Sequence, residues 1–489
     1  MDSSDVRPLG MTPSVRHTPA DADFQGLLEK LYTARHSLQL YYSVGVVNTY
    51  QYPHDLEPEK LLNTLIISLS QVVREHGILC CSIRNANSND PCFVRLGETD
   101  LREKLFVRDV DTDKELLQHL EQEHDRPWEA QETTSPWRLI VYRRARSSQV
   151  PPGVTLDIAF LYHHALCDGL SGAAFHSSLL EALEACEAQG KILADSGIVR
   201  TEQDLTIMAP LEALVKFKIS WWFLIQQVLQ EYGPRRLFGR PESHFTGQDC
   251  VPPEENPFRS RLHAFEVKSS KVKALLNLCQ SQKVSMTSFI TASVVHVLAT
   301  TLPSARSFVG GIPYTMRPTS STNFCALVNQ TSTVRINYGD KLLTQIRHSP
   351  TKGRDTWPGL REAAVLTDKE LQSALSNPLQ DNDVGLLPYV VDHRDFYSKK
   401  LGKKREQTFE VSNLGVMKSA QEKNPRWKTT RTIFTQGAAV VGPAFSVNCA
   451  SILGGPTTIT FAWQDQVMQD EVMMNLVAGV EKLLSSYEA

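Results

Sequence analysis

Hydrophobic positions recur along the chain with two alternating periods, and each change of period marks an element. Residues 154–162, rich in β-branched, aromatic and other apolar side chains, predict a buried strand. Behind it Phe175, Leu179, Leu183 and Cys186 recur at helical spacing, with Ser171 as the expected cap. The succession repeats: a strand over 42–50 precedes a helix over 59–73 with Leu61, Leu62, Leu65, Leu69 and Val72 on one face, and a further strand is expected over 137–143. In the second half, 262–267 reads as strand, 271–282 and 286–302 as helices, the second capped by Ser285, and 308–313 and 328–336 as strands. A last strand over 457–463 leads to a closing helix over 471–484 with Leu476, Val477, Val480 and Leu484 inward. Strands alternating with helices predict α/β layers in each half, with a site in the cleft between them.

Two stretches fall outside this rhythm. Residues 1–23 are polar and proline-bearing, with no apolar core that could serve as a signal peptide, and are expected to be a loosely ordered leader. Residues 191–261 have mixed polarity and carry Pro234, Pro241, Pro252, Pro253 and Pro257, as a connection between subdomains over 24–190 and 262–489 would. Inside it, 211–229 contains Trp221-Trp222-Phe223-Leu224-Ile225, but Lys216, Lys218, Gln226 and Gln227 keep it short of the ~20 apolar residues of a spanning helix. A helix with its apolar face on the core is expected there. A wall of an apolar substrate channel, or a surface touching lipid as a peripheral membrane contact, is the sharper alternative.

Composition narrows the class. At 489 residues and 41% hydrophobic, the chain can bury about two sizeable cores. A net charge of -3 gives no basic footprint for nucleic acid. The nine cysteines are scattered, only Cys80-Cys81 are adjacent, and no CxxC pair or Cys/His ligand spacing occurs. That usage points to a reducing, cytoplasmic setting without a structural zinc.

The chemistry concentrates in His163-His164-Ala165-Leu166-Cys167-Asp168-Gly169, which joins the 154–162 strand to its helix. Gly169 and Gly172 allow a tight turn and close backbone approach. Adjacent extended residues point to opposite faces, so one histidine is expected to act as a base and the other to be structural. Cys167 suits small packing better than a thiol nucleophile, and with no third ligand placed by sequence no metal is expected.

These residues match the HHxxxDG signature, and the chain resembles the coenzyme-A-dependent acyltransferase superfamily, which includes chloramphenicol acetyltransferase and the condensation domains of nonribosomal peptide synthetases. Further segments fit in order: Pro136-Trp137-Arg138-Leu139, Ile312-Pro313-Tyr314-Thr315-Met316-Arg317-Pro318, Leu327-Val328-Asn329 running to Arg335, and Val411-Ser412-Asn413-Leu414-Gly415-Val416. The single-unit length, the Tyr41-Tyr42 start and the Ser-Asn-Leu-Gly element bring it nearest the fungal alcohol O-acetyltransferase family. The resemblance implies two chloramphenicol-acetyltransferase-like α/β subdomains with the active site in a tunnel at their interface.

It also implies roles. His164 would take the acceptor's proton, with His163 and Gly169 as structural support. Asp168 would face away from substrate and pair with Arg317, or alternatively Arg335. Ser412 and Asn413 would lie at the oxyanion or thioester. The run Lys399, Lys400, Lys403, Lys404 and Arg405 reads first as a solvated loop and second as a contact to coenzyme A phosphates. The implied reaction is ester formation from acetyl-coenzyme A (or another acyl-CoA) and a small or secondary-metabolite alcohol. It needs no permanently bound cofactor, and a monomer is expected. Amide formation, or carrier-protein-dependent condensation, is the alternative within enzymes. A non-catalytic ligand-binding homologue is the alternative outside them.

Overall fold

The computed structural model of the chain describes residues 6–7, 26–144, 153–189, 197–200, 207–232, 244–348, 357–419 and 425–487. Of the expected leader, only Val6–Arg7 is described, and it pairs antiparallel with Phe93 and Val94. Residues 191–196, 201–206 and 233–243 of the expected connection likewise lie outside the described residues.

Two mixed sheets carry the molecule. The first runs in the order Lys428–Gln436, Val44–Tyr52, Val154–Tyr162, Trp137–Arg144, Leu105–Val110. The second runs Ser260–Val267, Thr457–Gln464, Pro443–Ile452, Gln407–Met417, Phe308–Thr315, Thr331–Tyr338. Helices Pro58–Glu75 and Gly169–Gln189 pack on the first, Met286–Thr301 and Asp470–Ser485 on the second, and each sheet has its own large buried cluster.

The division does not follow chain order. Lys428–Gln436 leaves the second half and pairs with Val44–Tyr52 along its length, from Lys428 opposite Gln51 to Gln436 opposite Val44. Its Phe434, together with Trp427, joins the first core, so the halves are laced together and not merely apposed.

Elements with a strong period fall where the pattern puts them, shifted by a residue or two. The Pro58–Glu75 helix buries Leu61, Leu65, Leu69 and Val72, while Leu62 is exposed. Ser285 caps Met286–Thr301 by accepting from the Ser288 amide at 3.1 Å. Three expectations fail. Ser171 does not cap its helix: the helix begins at Gly169, and the carboxylate of Asp168, the residue just before it, accepts the Ser171 amide at 2.9 Å. The strand expected from Val328 begins at Thr331, because the backbone of 328–330 is committed to the Asp168 turn. The 211–229 segment breaks into Leu211–Leu214 and Trp221–Tyr232, and the second helix turns Trp221, Trp222, Ile225 and Val228 to the outside instead of into the core.

Candidate active site

The turn after Val154–Tyr162 is where the two sheets meet. A side chain at Gly169 would sit 2.7 Å from Leu414 and 3.0 Å from Phe434, and one at Gly172 would sit 2.4 Å from Val46 and 2.8 Å from the Tyr162 hydroxyl. Neither position can carry a Cβ without displacing a packed neighbour, so the motif's glycines let the turn press directly onto the Ser412–Asn413 strand and onto Lys428–Gln436.

Asp168 is fully buried. Its Oδ1 accepts from the Ser171 amide at 2.9 Å, the Ser171 hydroxyl at 2.9 Å and Arg317 Nη2 at 2.9 Å; its Oδ2 accepts from Arg317 Nη1 at 2.7 Å and the Gln330 amide at 3.1 Å. Burial pushes this carboxyl up, but the Arg317 guanidinium and the hydrogen bonds outweigh it and hold the group below the usual carboxylate range. Arg317 is therefore the partner of Asp168. Arg335 is engaged elsewhere, with Asp383 and, at 3.9 Å, Glu406.

The same constellation fixes the neighbouring strand. Ser171 Oγ accepts the Val328 amide at 2.9 Å and the Asp168 amide donates to the Val328 carbonyl at 3.2 Å. With the Gln330 amide on Asp168, residues 328–330 are bolted to the turn on both sides of Asn329. Asn329 Nδ2 then donates to the His164 carbonyl at 2.9 Å and lies 3.4 Å from its Nδ1.

The two histidines diverge as adjacent extended residues must. His163 is buried, its Nδ1 accepts the Ala165 amide at 2.9 Å, and its ring lies 4.7 Å from that of His36. His164 is only partly buried, and its ring stacks on Tyr32 at 3.7 Å and 10°. Desolvation, offset by a hydrogen bond to its own carbonyl and reinforced by Arg35, lowers its pKa to about 4. The ring is thus neutral at physiological pH.

Tyr32, Arg35 and His36 come from helix Leu27–Ser37, which the pattern of apolar positions did not single out. Arg35 lies 5.5 Å from the Tyr32 ring, 4.7 Å from Tyr41 and 5.7 Å from Tyr397, and so ties this helix to the second half. A signal existed: 32, 35 and 36 fall on one helical face, aromatic and ionisable rather than apolar.

Asn413 holds its own strand. Its Nδ2 donates to Thr287 Oγ1 at 3.0 Å and its Oδ1 accepts the Gly415 amide at 2.9 Å, across a break in register between Asn413 and Val416. Gly415 takes a φ of 77°, which favours glycine. Ser412 is half-buried beside it.

The basic run does not act as one patch. Arg405 is buried and donates to the carbonyls of Gln248 and Ala439 at 3.0 and 2.8 Å, a structural strut. Lys399 pairs with Asp395, and Lys400 pairs with Glu406 at 2.9 Å and lies over Phe396; Lys403 and Lys404 are exposed. No group of three or more His, Cys, Asp or Glu that could hold a metal occurs among the described residues. A cavity of about 850 Å³ is lined by Tyr314, Ser332 and Arg335 of the second sheet and by Phe223, Gln226 and Gln227, and His164 is not among its lining residues.

Burial of neutral histidines extends beyond the site. His36 and His124 are lowered to about 3, and His76, His164 and His176 to about 4, in each case chiefly by desolvation. Since the unfolded chain takes up these protons near pH 6.5 and the folded chain only near 3–4, stability is complete above about pH 6.5 and falls as pH drops below it. Each histidine contributes a slope of up to about 1.4 kcal/mol per pH unit. The urea midpoint is expected to drop steeply between neutral pH and pH 5, and a flat profile would show these rings to be solvated.

Residues 108–488 match the family model described as alcohol acetyltransferase. The chain is similar to a probable alcohol acetyltransferase of Aspergillus fumigatus, 27% identical over 95% of this chain and all of that protein. A probable alcohol acetyltransferase of Fusarium pseudograminearum is 25% identical over 93% of this chain and 92% of its own length. Among solved structures, the trichothecene 15-O-acetyltransferase TRI3 of Fusarium sporotrichioides superposes with a TM-score of 0.70 at 12% identity, over 95% of each chain. The first condensation domain of the CDA synthetase superposes at 0.59 with 11% identity, over 98% of each. These structural likenesses speak to the fold.

Proposed function

The chain belongs to the alcohol acetyltransferase family, and from that premise we propose that it moves an acetyl group from free acetyl-coenzyme A to the hydroxyl of a small or secondary-metabolite alcohol, with His164 as general base. The observation that carries the reading is the His164 ring itself: neutral, partly open, stacked on Tyr32 and seated at the seam of the two sheets by Asn329. Asn329 Nδ2 already serves the His164 carbonyl at 2.9 Å, so the 3.4 Å contact to Nδ1 is a weak competitor. With Nδ1–H turned to its own carbonyl, the Nε2 lone pair is left to accept the acceptor's proton.

In the step so built, the alcohol oxygen bonds to the thioester carbon as its proton passes to Nε2. The tetrahedral intermediate then expels the thiolate, which recovers that proton as the free thiol. Ser412 and the amides beside Asn413 are the candidates for donors to the oxyanion, since the Asn413 side chain is itself occupied by Thr287 and Gly415.

Release of free thiol from acetyl-coenzyme A, measured with a panel of alcohols and amines, tests the reading. Turnover confined to amines would replace it with amide formation, and no turnover with any acceptor would favour a ligand-binding homologue. The donor is tested separately through Lys399, Lys400, Lys403 and Lys404. Neutralising all four is expected to raise the KM for acetyl-coenzyme A by about three- to tenfold, a modest effect because exposed or locally paired lysines are screened. The KM for an acetylated pantetheine fragment should stay unchanged. Equal KM values for the two donors in the unmodified protein would favour a carrier-bound donor.

A further inference from the structure

The helix Trp221–Tyr232 has two unlike faces. Trp221, Trp222, Ile225 and Val228 form one stripe and are 81%, 75%, 47% and 48% exposed. Phe223, Gln226 and Gln227 face the other way, into the 850 Å³ cavity.

The outward stripe is held in place. Asp381 accepts the Ser220 amide at 2.7 Å and its hydroxyl at 3.0 Å, Ser220 Oγ accepts the Phe223 amide at 3.2 Å, and the Lys218 backbone exchanges hydrogen bonds with Leu379 and Asp381. Two adjacent indoles are therefore presented to the outside by a rigid base. Just ahead of them Lys216 and Lys218 are exposed and take part in no ion pair among the described residues.

Indoles favour the bilayer interface, where the ring leaves water and its N–H keeps a polar partner. Lysines next to such a face add attraction to anionic headgroups, and here they do so locally, on a chain whose net charge of -3 supplies none. No single described helix is long and apolar enough to cross a membrane, so the contact such a face can make is interfacial.

We propose that this face docks the protein on the surface of an anionic phospholipid bilayer, with Trp221 and Trp222 at headgroup depth and Lys216 and Lys218 against lipid phosphate. Docking does not depend on the acetyl-transfer reading. If that reading holds, the cavity behind the helix lies beside the lipid, where apolar alcohols concentrate.

Cosedimentation of the full chain with vesicles of phosphatidylcholine, with and without phosphatidylserine, tests this. Binding to mixed vesicles and a blue shift of tryptophan emission are expected. Trp221→Ala with Trp222→Ala should lower the partition coefficient at least about tenfold. Lys216→Glu with Lys218→Glu should lower it on the order of tenfold for mixed vesicles and little for phosphatidylcholine alone. All four side chains are exposed, so the melting temperature should not move, and binding is read without reference to turnover. Equal partitioning of the unmodified protein and the double tryptophan variant overturns the proposal. So does a dimer in sedimentation equilibrium that the tryptophan variant dissociates, with no vesicle binding, since the face would then be covered by a second copy.

Discussion

Replacing His164 with Ala is expected to lower kcat for acetyl transfer by about 10²–10⁴-fold while leaving acetyl-coenzyme A binding intact. The size follows from what the ring does: it is the neutral imidazole at the seam between the sheets, stacked on Tyr32 with its Nε2 lone pair free to accept a proton. His163 cannot substitute, because its ring faces His36 and its Nδ1 is taken by the Ala165 amide. Because burial lowers the His164 pKa to about 4, protonation of this base should not limit the rate anywhere between pH 5 and 8. Loss of activity on mild acidification would then follow unfolding driven by the buried histidines, and the two curves should coincide. Single-turnover thiol release with calorimetric binding of the coenzyme measures both arms. Near-wild-type turnover in the Ala variant would remove His164 from the mechanism.

What could be read in the sequence was what a short period or a short motif encodes. The apolar run over Val154–Tyr162, buried on both faces, and the four-four-three spacing of Leu61, Leu65, Leu69 and Val72 on one helix face place their own elements. The His163–Gly169 motif places its own turn because strand, turn and helix are contiguous. Contacts made across long stretches of chain left no such trace. Nothing local in Lys428–Gln436 says that it will pair with Val44–Tyr52, since its alternation would suit the edge of either sheet. Helix Leu27–Ser37 has no apolar stripe to reveal it, because beside Leu28 and Ala34 its buried face carries Glu29, Thr33 and His36, which an apolar count scores as surface. The Trp221–Tyr232 helix is the opposite case, since its apolar stripe has the spacing of a core face but lies on the outside. Asn329 was legible only as part of a segment. Its place at His164 depends on Asp168 and Ser171 clamping residues 328–330, a relation between positions 157 or more residues apart.

That clamp carries the largest expected effect on stability. Asp168→Asn and Arg317→Ala should each destabilise the fold by about 3–5 kcal/mol, because each leaves a group that is fully buried without its counter-charge. The amide introduced at 168 can still accept the Ser171 amide through its oxygen, but its nitrogen then opposes an Arg317 donor, so helix capping survives while the ion pair does not. Since both variants remove one interaction, the double variant should lose less than the sum of the two, by 1–3 kcal/mol on the order expected for contacting residues. Urea unfolding of the four proteins measures the coupling, and full additivity would mean that the pair contributes no mutual stabilisation. Activity gives a second, independent reading. At temperatures where circular dichroism shows each variant folded, kcat should fall while the KM for acetyl-coenzyme A holds, because loosening Val328 and Gln330 frees Asn329 and lets His164 leave its position. Equal changes in both constants would instead mark the pair as support for the donor site. Arg335→Ala is the control: engaged with Asp383 and Glu406, it should show no coupling to Asp168 in the same cycle.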